Sequence, residues 1–115
     1  MKKILLVLMV AAFLGCTQGP PPPELCFPPD GYELTYMPFS WTSVPEANEY
    51  RLQISADEGF FDNVIDEVTA DTFYSVTSHY SEFEDGTIYY WRVLSGNTDG
   101  WGNPSEVRTI SVRII

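Results

Sequence analysis

The sequence predicts an all-β fold, a two-layered sandwich of seven antiparallel strands. From Leu25 onward there is no useful helical periodicity, and short runs rich in β-branched and aromatic residues recur between Gly, Pro, Asn and Asp. Seven such runs in about 90 residues are typical of a sandwich, with a small barrel as the alternative. The 115-residue chain is 44% hydrophobic and 15% aromatic, which is too apolar for a disordered protein.

The predicted strands follow one another in chain order and are separated by turns or loops. They cover residues 25–27, 36–44, 49–55, 63–70, 72–77, 87–95 and 106–114. The clearest alternation lies in the third strand, where Tyr50, Leu52 and Ile54 alternate with polar residues. This period of two predicts a strand with one buried face.

The last two strands show the same alternation. In the sixth, Tyr89, Trp91 and Val93 share one face, opposite to Tyr90 and Arg92. In the seventh, three aliphatic residues point inward: Ile110, Val112 and Ile114. Their parity places Arg108 inward as well, so a bulge or a position at the rim of the core is expected there.

The charge of the chain excludes some partners. Sixteen acidic residues and four arginines follow Cys16, so this part carries a net charge of −12. Nucleic acids and anionic lipid surfaces would be repelled, and no nucleic-acid partner is expected. A solvated acidic surface is the simplest interpretation. A cation site is the alternative, although no segment has the spacing of an EF-hand loop.

The N-terminus predicts export. Residues 1–15 contain a short basic start and an apolar run over 4–14, which is too short to span a bilayer and typical of a signal peptide. The sequence Phe13-Leu14-Gly15-Cys16 resembles the lipobox of bacterial lipoproteins. This resemblance implies that Cys16 becomes the first residue and carries acyl chains. The alternatives are ordinary cleavage with free secretion, or a cytoplasmic protein with an unusual N-terminus.

The lipobox resemblance also implies a location. The protein would be anchored through Cys16 in a bacterial cell envelope, in the outer membrane if the organism has one, facing the periplasm or the exterior. Residues 16–24 then form a linker with four consecutive prolines. Such a run favours an extended polyproline spacer of roughly 25 Å. Residues 25–115 form the predicted domain.

Three segments resemble a fibronectin type III domain, an immunoglobulin-like sandwich. Phe39-Ser40-Trp41, with residues 44–47 and 50–55, is similar to its B and C strands. Residues 83–93 are similar to the E–F corner and F strand, and 97–106 to the F–G loop and the start of strand G. The resemblance implies that Tyr89 is the corner tyrosine, whose hydroxyl bonds to the backbone a few residues upstream. It also implies a core role for seven residues: Trp41, Tyr50, Leu52, Ile54, Tyr89, Trp91 and Val93.

The sequence predicts no enzyme, cofactor or metal site. It contains no glycine-rich phosphate loop, no GxSxG motif and no CxxC pair. Cys26 is predicted to be a small buried hydrophobe, although a disulfide with Cys16 is conceivable. The candidates for ligand contact are Trp101 in the F–G loop and Tyr90, and the other outward-facing candidates are Tyr36, Tyr80 and His79. Trp101 has an alternative role as a lid over the end of the core.

Together these observations predict a non-catalytic envelope lipoprotein whose single domain binds, adheres to or spaces other molecules. The expected partner is an envelope or extracellular protein or polysaccharide. One alternative is a carbohydrate-binding accessory module that stacks Trp101 and Tyr90 on sugar. The other is a small hydrolase that uses a pair of the plentiful carboxylates.

Overall fold

The computed structural model describes residues 19–35 and 38–113. This part of the chain forms nine strands, which we number in chain order: β1 Leu25–Phe27, β2 Tyr32–Leu34, β3 Pro38–Trp41, β4 Glu49–Ser55, β5 Asn63–Thr69, β6 Phe73–Ser75, β7 Ile88–Asn97, β8 Gly100–Trp101 and β9 Arg108–Val112. One 3₁₀ helix, Thr77–Glu82, lies between β6 and β7. In the described residues, no helix is both long enough and apolar enough to span a membrane.

The strands form two sheets. The large sheet has the order β2-β9-β7-β4-β5, with β8 paired to the end of β7, and the small sheet has the order β1-β3-β6. All pairs are antiparallel except β2 with β9, which is parallel. The predicted all-β sandwich is therefore confirmed. All seven predicted strands have counterparts, while β2 and β8 lie in segments for which no strand was predicted.

The core lies between the two sheets. The seven residues expected there are all buried, with exposures from 0% to 4%. The ring of Phe39 in β3 meets Trp91 in β7 edge to face at a centroid distance of 4.8 Å. The hydroxyl of Tyr50 accepts a hydrogen bond from the Val44 N–H at 2.8 Å. The Tyr50 hydroxyl thus keeps a partner while its ring fills the core. The buried indole N–H groups of Trp41 and Trp91, in contrast, have no hydrogen-bond partner in the described chain.

The corner contact implied for Tyr89 is present. Its hydroxyl accepts a 2.8 Å hydrogen bond from the backbone N–H of Glu84, five residues upstream. Its ring packs edge to face against Phe83 at 5.1 Å. The contact fixes the chain that leads from the 3₁₀ helix into β7.

Arg108 occupies a position at the rim of the core, one of the two alternatives that its parity allowed. Its guanidinium donates hydrogen bonds to the carbonyl oxygens of Leu25 and Pro28, both at 3.0 Å. Its Nε pairs with Glu106 at 3.1 Å. Because Leu25 belongs to the small sheet and Arg108 to the large one, this side chain joins the two layers.

The described part of the proline-rich linker packs on the domain. Pro20 and Pro23 are buried, and Glu24 exchanges two hydrogen bonds of 2.9 Å with Thr42. Residues 19–24 therefore do not project from the domain as the predicted spacer would. The signal peptide, the Cys16 anchor, Tyr36 and Ile114 lie outside the described residues.

The prediction for Cys26 is wrong, and His79 is less exposed than an outward-facing position implies. Cys26 is exposed rather than buried, because β1 alternates and turns Leu25 inward and Cys26 outward. His79, named as an outward-facing candidate, lies in the 3₁₀ helix and is only partly exposed. Its Nε2 lies 2.8 Å from the Tyr74 hydroxyl and its Nδ1 lies 3.3 Å from Glu82, which fixes the imidazole at the side of the 3₁₀ helix.

Candidate binding surface

The solvent-facing side of the large sheet, called here the outer face, carries the side chains best placed for recognition. Strand β4 turns Tyr50, Leu52 and Ile54 into the core, so Arg51 and Gln53 point the other way. Strand β7 does the same with Tyr90 and Arg92. Two of the four arginines that follow Cys16 therefore share one face of an acidic domain.

Arg51 is held by two contacts on the outer face. Its Nε and Nη2 donate to the two carboxylate oxygens of Asp66 at 2.6 and 2.8 Å. Its guanidinium carbon lies 5.8 Å from the centre of the Trp101 ring. The hydrogen bonds to Asp66 raise the pKa of Arg51 further above its ordinary value. The side chain is thus charged and fixed in orientation.

Arg92 lies one strand away and is more enclosed. Its Nε donates to Gln53 Oε1 at 2.8 Å, and its guanidinium lies 4.0 Å from the centre of the Phe60 ring. Burial first, and the neighbouring charge of Arg51 second, lower the pKa of Arg92. Arginine nevertheless keeps its charge in proteins, so the outer face presents a cation stacked on an aromatic ring.

Trp101 lies on the outer face rather than in an open loop. Strand β8 pairs Trp101 with Gly96, and the half-buried ring covers that glycine. A β-carbon at Gly96 would lie 2.7 Å from the ring, so only glycine permits this contact. The alternative role for Trp101, a lid over the end of the core, is not the one the structure shows. The position of Gly96, in the continuation of a predicted strand, could have indicated that a side chain approaches the backbone closely there.

Tyr90 lies at the other end of the same face. It lines a shallow pocket with Asp30, Glu58, Val107 and Thr109. Tyr90 is six residues from Gly96 along β7, so it is about 20 Å from the strand position that Trp101 covers. A single sugar ring cannot contact both aromatic side chains. The two predicted contact residues share a face but do not form one subsite.

The loop between β4 and β5 adds residues that the sequence analysis did not select. Phe60 adopts a left-handed backbone conformation, with a φ of 59°, and places its ring on Arg92. Phe61 is 92% exposed, the highest value among the large hydrophobic residues of the described chain. In the sequence, the adjacent pair of phenylalanines at the end of a polar loop could have indicated that this loop carries contact residues. The partner of Phe60 was not predictable because it lies on another strand.

Asp57 holds this loop in shape. Its carboxylate accepts hydrogen bonds from the Ser55 hydroxyl and the Asp62 N–H, both at 2.8 Å, and from the Gly59 and Phe61 N–H groups. The Ser55 hydroxyl first, and the backbone donors of Asp62, Phe61 and Gly59 with it, lower the pKa of Asp57 below its ordinary 3.8, although burial opposes them. A single carboxylate therefore positions Phe60 and Phe61.

The pH dependence of this loop follows from the lowered pKa of Asp57. A carboxyl group with a lowered folded-state pKa stabilises fully above the ordinary value and loses that contribution as the pH falls through the folded pKa. We expect the amide resonances of Gly59 and Phe61, which both donate to Asp57, to shift together in one titration whose midpoint lies below pH 3.8. In Asp57→Ala the same amide resonances should be shifted already at neutral pH, because the loop has lost its carboxylate acceptor. In Glu58→Gln, a change at the exposed neighbouring residue, they should keep their wild-type positions. A common midpoint at or above pH 3.8 would contradict the assignment.

The carboxylates of the described chain do not assemble into a metal site. No three side chains of His, Cys, Asp or Glu are grouped there so that they could hold an ion. The acidic residues at the candidate surface act instead through hydrogen bonds, as in the pairs Arg51–Asp66 and Asp57–Ser55.

Comparison with solved structures agrees with the arrangement of the two sheets. A Fn3-like protein from Clostridium thermocellum has a TM-score of 0.60 and 19% identity, over 84% of this chain and 97% of that one. The chain has a fibronectin type III-like fold. A fibronectin type III domain of human fibronectin type III domain containing protein 3 has a TM-score of 0.62 and 20% sequence identity, over 88% of this chain and 93% of that one. The sixth fibronectin type III domain of that human protein has a TM-score of 0.56 and 20% sequence identity, over 89% of this chain and 92% of that one.

These likenesses concern the fold alone, since this sandwich supports many unrelated functions. No family model and no curated protein match the sequence. The fibronectin type III-like sandwich therefore explains how the strands are positioned but does not indicate a function. The outer face of the large sheet, with its arginines and aromatic rings, is the feature from which a function can be argued.

Proposed function

We propose that this protein is a non-catalytic binding module, anchored to a bacterial cell envelope through acyl chains on Cys16, whose outer face binds an envelope or extracellular protein. One observation carries the binding proposal: Arg51 and Arg92, with Trp101 and Tyr90 around them, line one face of paired strands. Arginine, tryptophan and tyrosine are the residues that most often dominate the energy of protein interfaces.

The size of the surface favours a protein over a small sugar. The distance between the Gly96 and Tyr90 positions, about 20 Å, covers roughly two thirds of the width of a standard interface patch, whose area of about 800 Å² corresponds to about 30 Å across. Phe61 extends this patch with a fully exposed ring at the Tyr90 end. Arg51 is already paired with Asp66, so the partner need not supply an acidic group at that point. An apolar surface with hydrogen-bonding groups is the complementary chemistry.

The anchoring part of the proposal is tested by fractionation of cells that express the full chain. The Cys16→Ser variant is expected to move from the membrane fraction to the soluble fraction, because no thiol remains for acylation. Stable anchoring requires more than one acyl chain, so partial acylation should give intermediate release. The matched control is Cys26→Ser, at an exposed cysteine within β1, which should stay with the membrane. Membrane retention of Cys16→Ser would overturn the anchor.

The binding part is tested with two exposed phenylalanines, Phe61 in the β4–β5 loop and Phe73 in the small sheet. Partners are captured by crosslinking on intact cells, identified, purified and titrated against the wild-type protein and its variants. Phe61→Ala is expected to weaken binding about tenfold, as a single interface aromatic does when truncated. Phe73→Ala, on the small sheet and 55% exposed, should leave the affinity unchanged.

Two results would overturn the assignment of the outer face. One is an equal effect of Phe61→Ala and Phe73→Ala on the affinity for the purified partner. The other is selective binding on a glycan array that is lost in Trp101→Ala, which would favour the carbohydrate-binding alternative. In that case the domain would recognise a sugar that stacks on the Trp101 ring, rather than a protein.

A further inference from the structure

We infer that the Trp101 end of the outer face lies at the membrane surface and contacts the headgroups of zwitterionic lipids. The inference rests on the proposed anchor at Cys16 and deepens it, because it states how the domain is oriented on the membrane. It starts from the unexpected packing of the linker on the domain. Pro20 and Pro23 are buried there, so the chain reaches the domain surface several residues before β1 begins.

The first described residues contact the strand that carries Trp101. A β-carbon on Gly19 would lie 2.5 Å from the carbonyl oxygen of Gly100 and equally close to the backbone of Trp101. On the other side, a β-carbon on Gly102 would collide with the carbonyl of Pro20. Both glycines are thus required by a close backbone approach. The contact fixes the start of the linker beside β8.

Chain length then limits the distance between Trp101 and the acylated residue. Cys16 precedes Gly19 by three residues, which span at most about 11 Å when fully extended. Because Gly19 touches the backbone of Trp101, an acylated Cys16 would lie within about 15 Å of that residue. Each headgroup layer of a bilayer is roughly 5–8 Å thick. The indole, which is half-buried and faces outward, is therefore within reach of the layer in which tryptophan is enriched.

Charge selects the kind of lipid. The exposed residues Glu46 and Asp99 lie at the same end, linked through Asn97, whose side chain donates to the Glu46 carbonyl and accepts from the Asp99 N–H. These two carboxylates disfavour anionic headgroups, as does the net charge of the chain after Cys16. The cation at this end, Arg51, is neutralised by Asp66. A zwitterionic surface, such as phosphatidylcholine, is the surface that fits.

The orientation also separates the two contacts of the domain. Glu49 pairs with Gly96 at the Trp101 end of β4 and β7, whereas Ser55 pairs with Tyr90 at the other end. The β4–β5 loop, which begins after Ser55, therefore points away from the membrane with its exposed Phe61. Trp101, at the far edge of the proposed protein-binding surface, then contacts lipid, and the partner contacts the rest of that surface, from Arg51 to Tyr90 and Phe61.

Tryptophan fluorescence offers a direct test, because Trp41 and Trp91 are buried and Trp101 is the accessible one of the three. The full chain is expressed in a host that processes lipoproteins, purified in detergent and reconstituted into phosphatidylcholine vesicles. Part of the lipid carries a nitroxide on its headgroup, which quenches only at short range. Quenching of the wild-type protein is expected to exceed that of Trp101→Phe, and the difference should match the emission that Trp101 contributes.

Mass spectrometry of the same samples separates the possible failures. If Cys16 is acylated and the wild-type protein is quenched no more than Trp101→Phe, the orientation is overturned and the anchor stands. If Cys16 carries no acyl chain, the anchor is overturned, and the orientation with it. Acylation together with the Trp101-specific quenching supports both. Since Trp101→Phe keeps an aromatic ring over Gly96, the fold of the control should be preserved.

Discussion

Replacing Trp91 with alanine is expected to lower the free energy of unfolding by about 3–5 kcal/mol, the range for a large aromatic side chain removed from a closed core. Trp91 is fully buried in β7 and packs edge to face on Phe39 of the opposite sheet, so its loss opens a cavity between the layers. A domain of this size is stabilised by roughly 5–15 kcal/mol, so the variant would be marginally folded.

Urea denaturation followed by circular dichroism measures this effect, and Trp101→Ala is the matched control. The Trp101 ring lies on the outer face and is half-exposed, so its removal should cost about 1 kcal/mol or less. Equal losses for the two variants would contradict the distinction between a core tryptophan and a surface tryptophan. That distinction underlies both the binding surface and the membrane contact proposed for Trp101.

The second large effect is expected at Arg108. Arg108→Met should destabilise the domain by about 3 kcal/mol, because the charged hydrogen bonds to the carbonyls of Leu25 and Pro28 are lost and those oxygens are left poorly solvated. Methionine keeps much of the side-chain volume, so lost packing contributes little. Since these bonds join the two sheets, strand β1 should show the largest rise in amide hydrogen exchange.

Arg113→Met is the control for Arg108→Met. Arg113 also pairs with a carboxylate, that of Glu33, but its side chain is 63% exposed. A pair so open to solvent contributes about 0–1 kcal/mol. If the two variants lost the same stability, or if β1 were equally protected from exchange in both, the bridging role of Arg108 would be refuted.

The sequence alone was sufficient for the fold because the signal for a half-buried strand is local. Alternation of Tyr50, Leu52 and Ile54 assigns one face of β4 to the core, whatever its neighbours are. The same alternation in β7 located Trp91. For Arg108, parity left a bulge or a position at the rim, and the structure decided for the rim. The short strands β2 and β8 were missed because three and two residues are too few to show a period, and their pairing partners lie elsewhere in the chain.

For the outer face, the sequence indicated which residues lie there and which way their side chains point, but not which of them contact each other. It showed that Tyr90 and Arg92 point away from the core, and it selected Trp101. Only the tertiary structure brought Phe60 onto Arg92 and laid Trp101 over Gly96. It also turned the proline-rich linker back onto the domain. Such contacts depend on the register between strands and on the course of loops, which are set by the whole packed molecule rather than by any one segment.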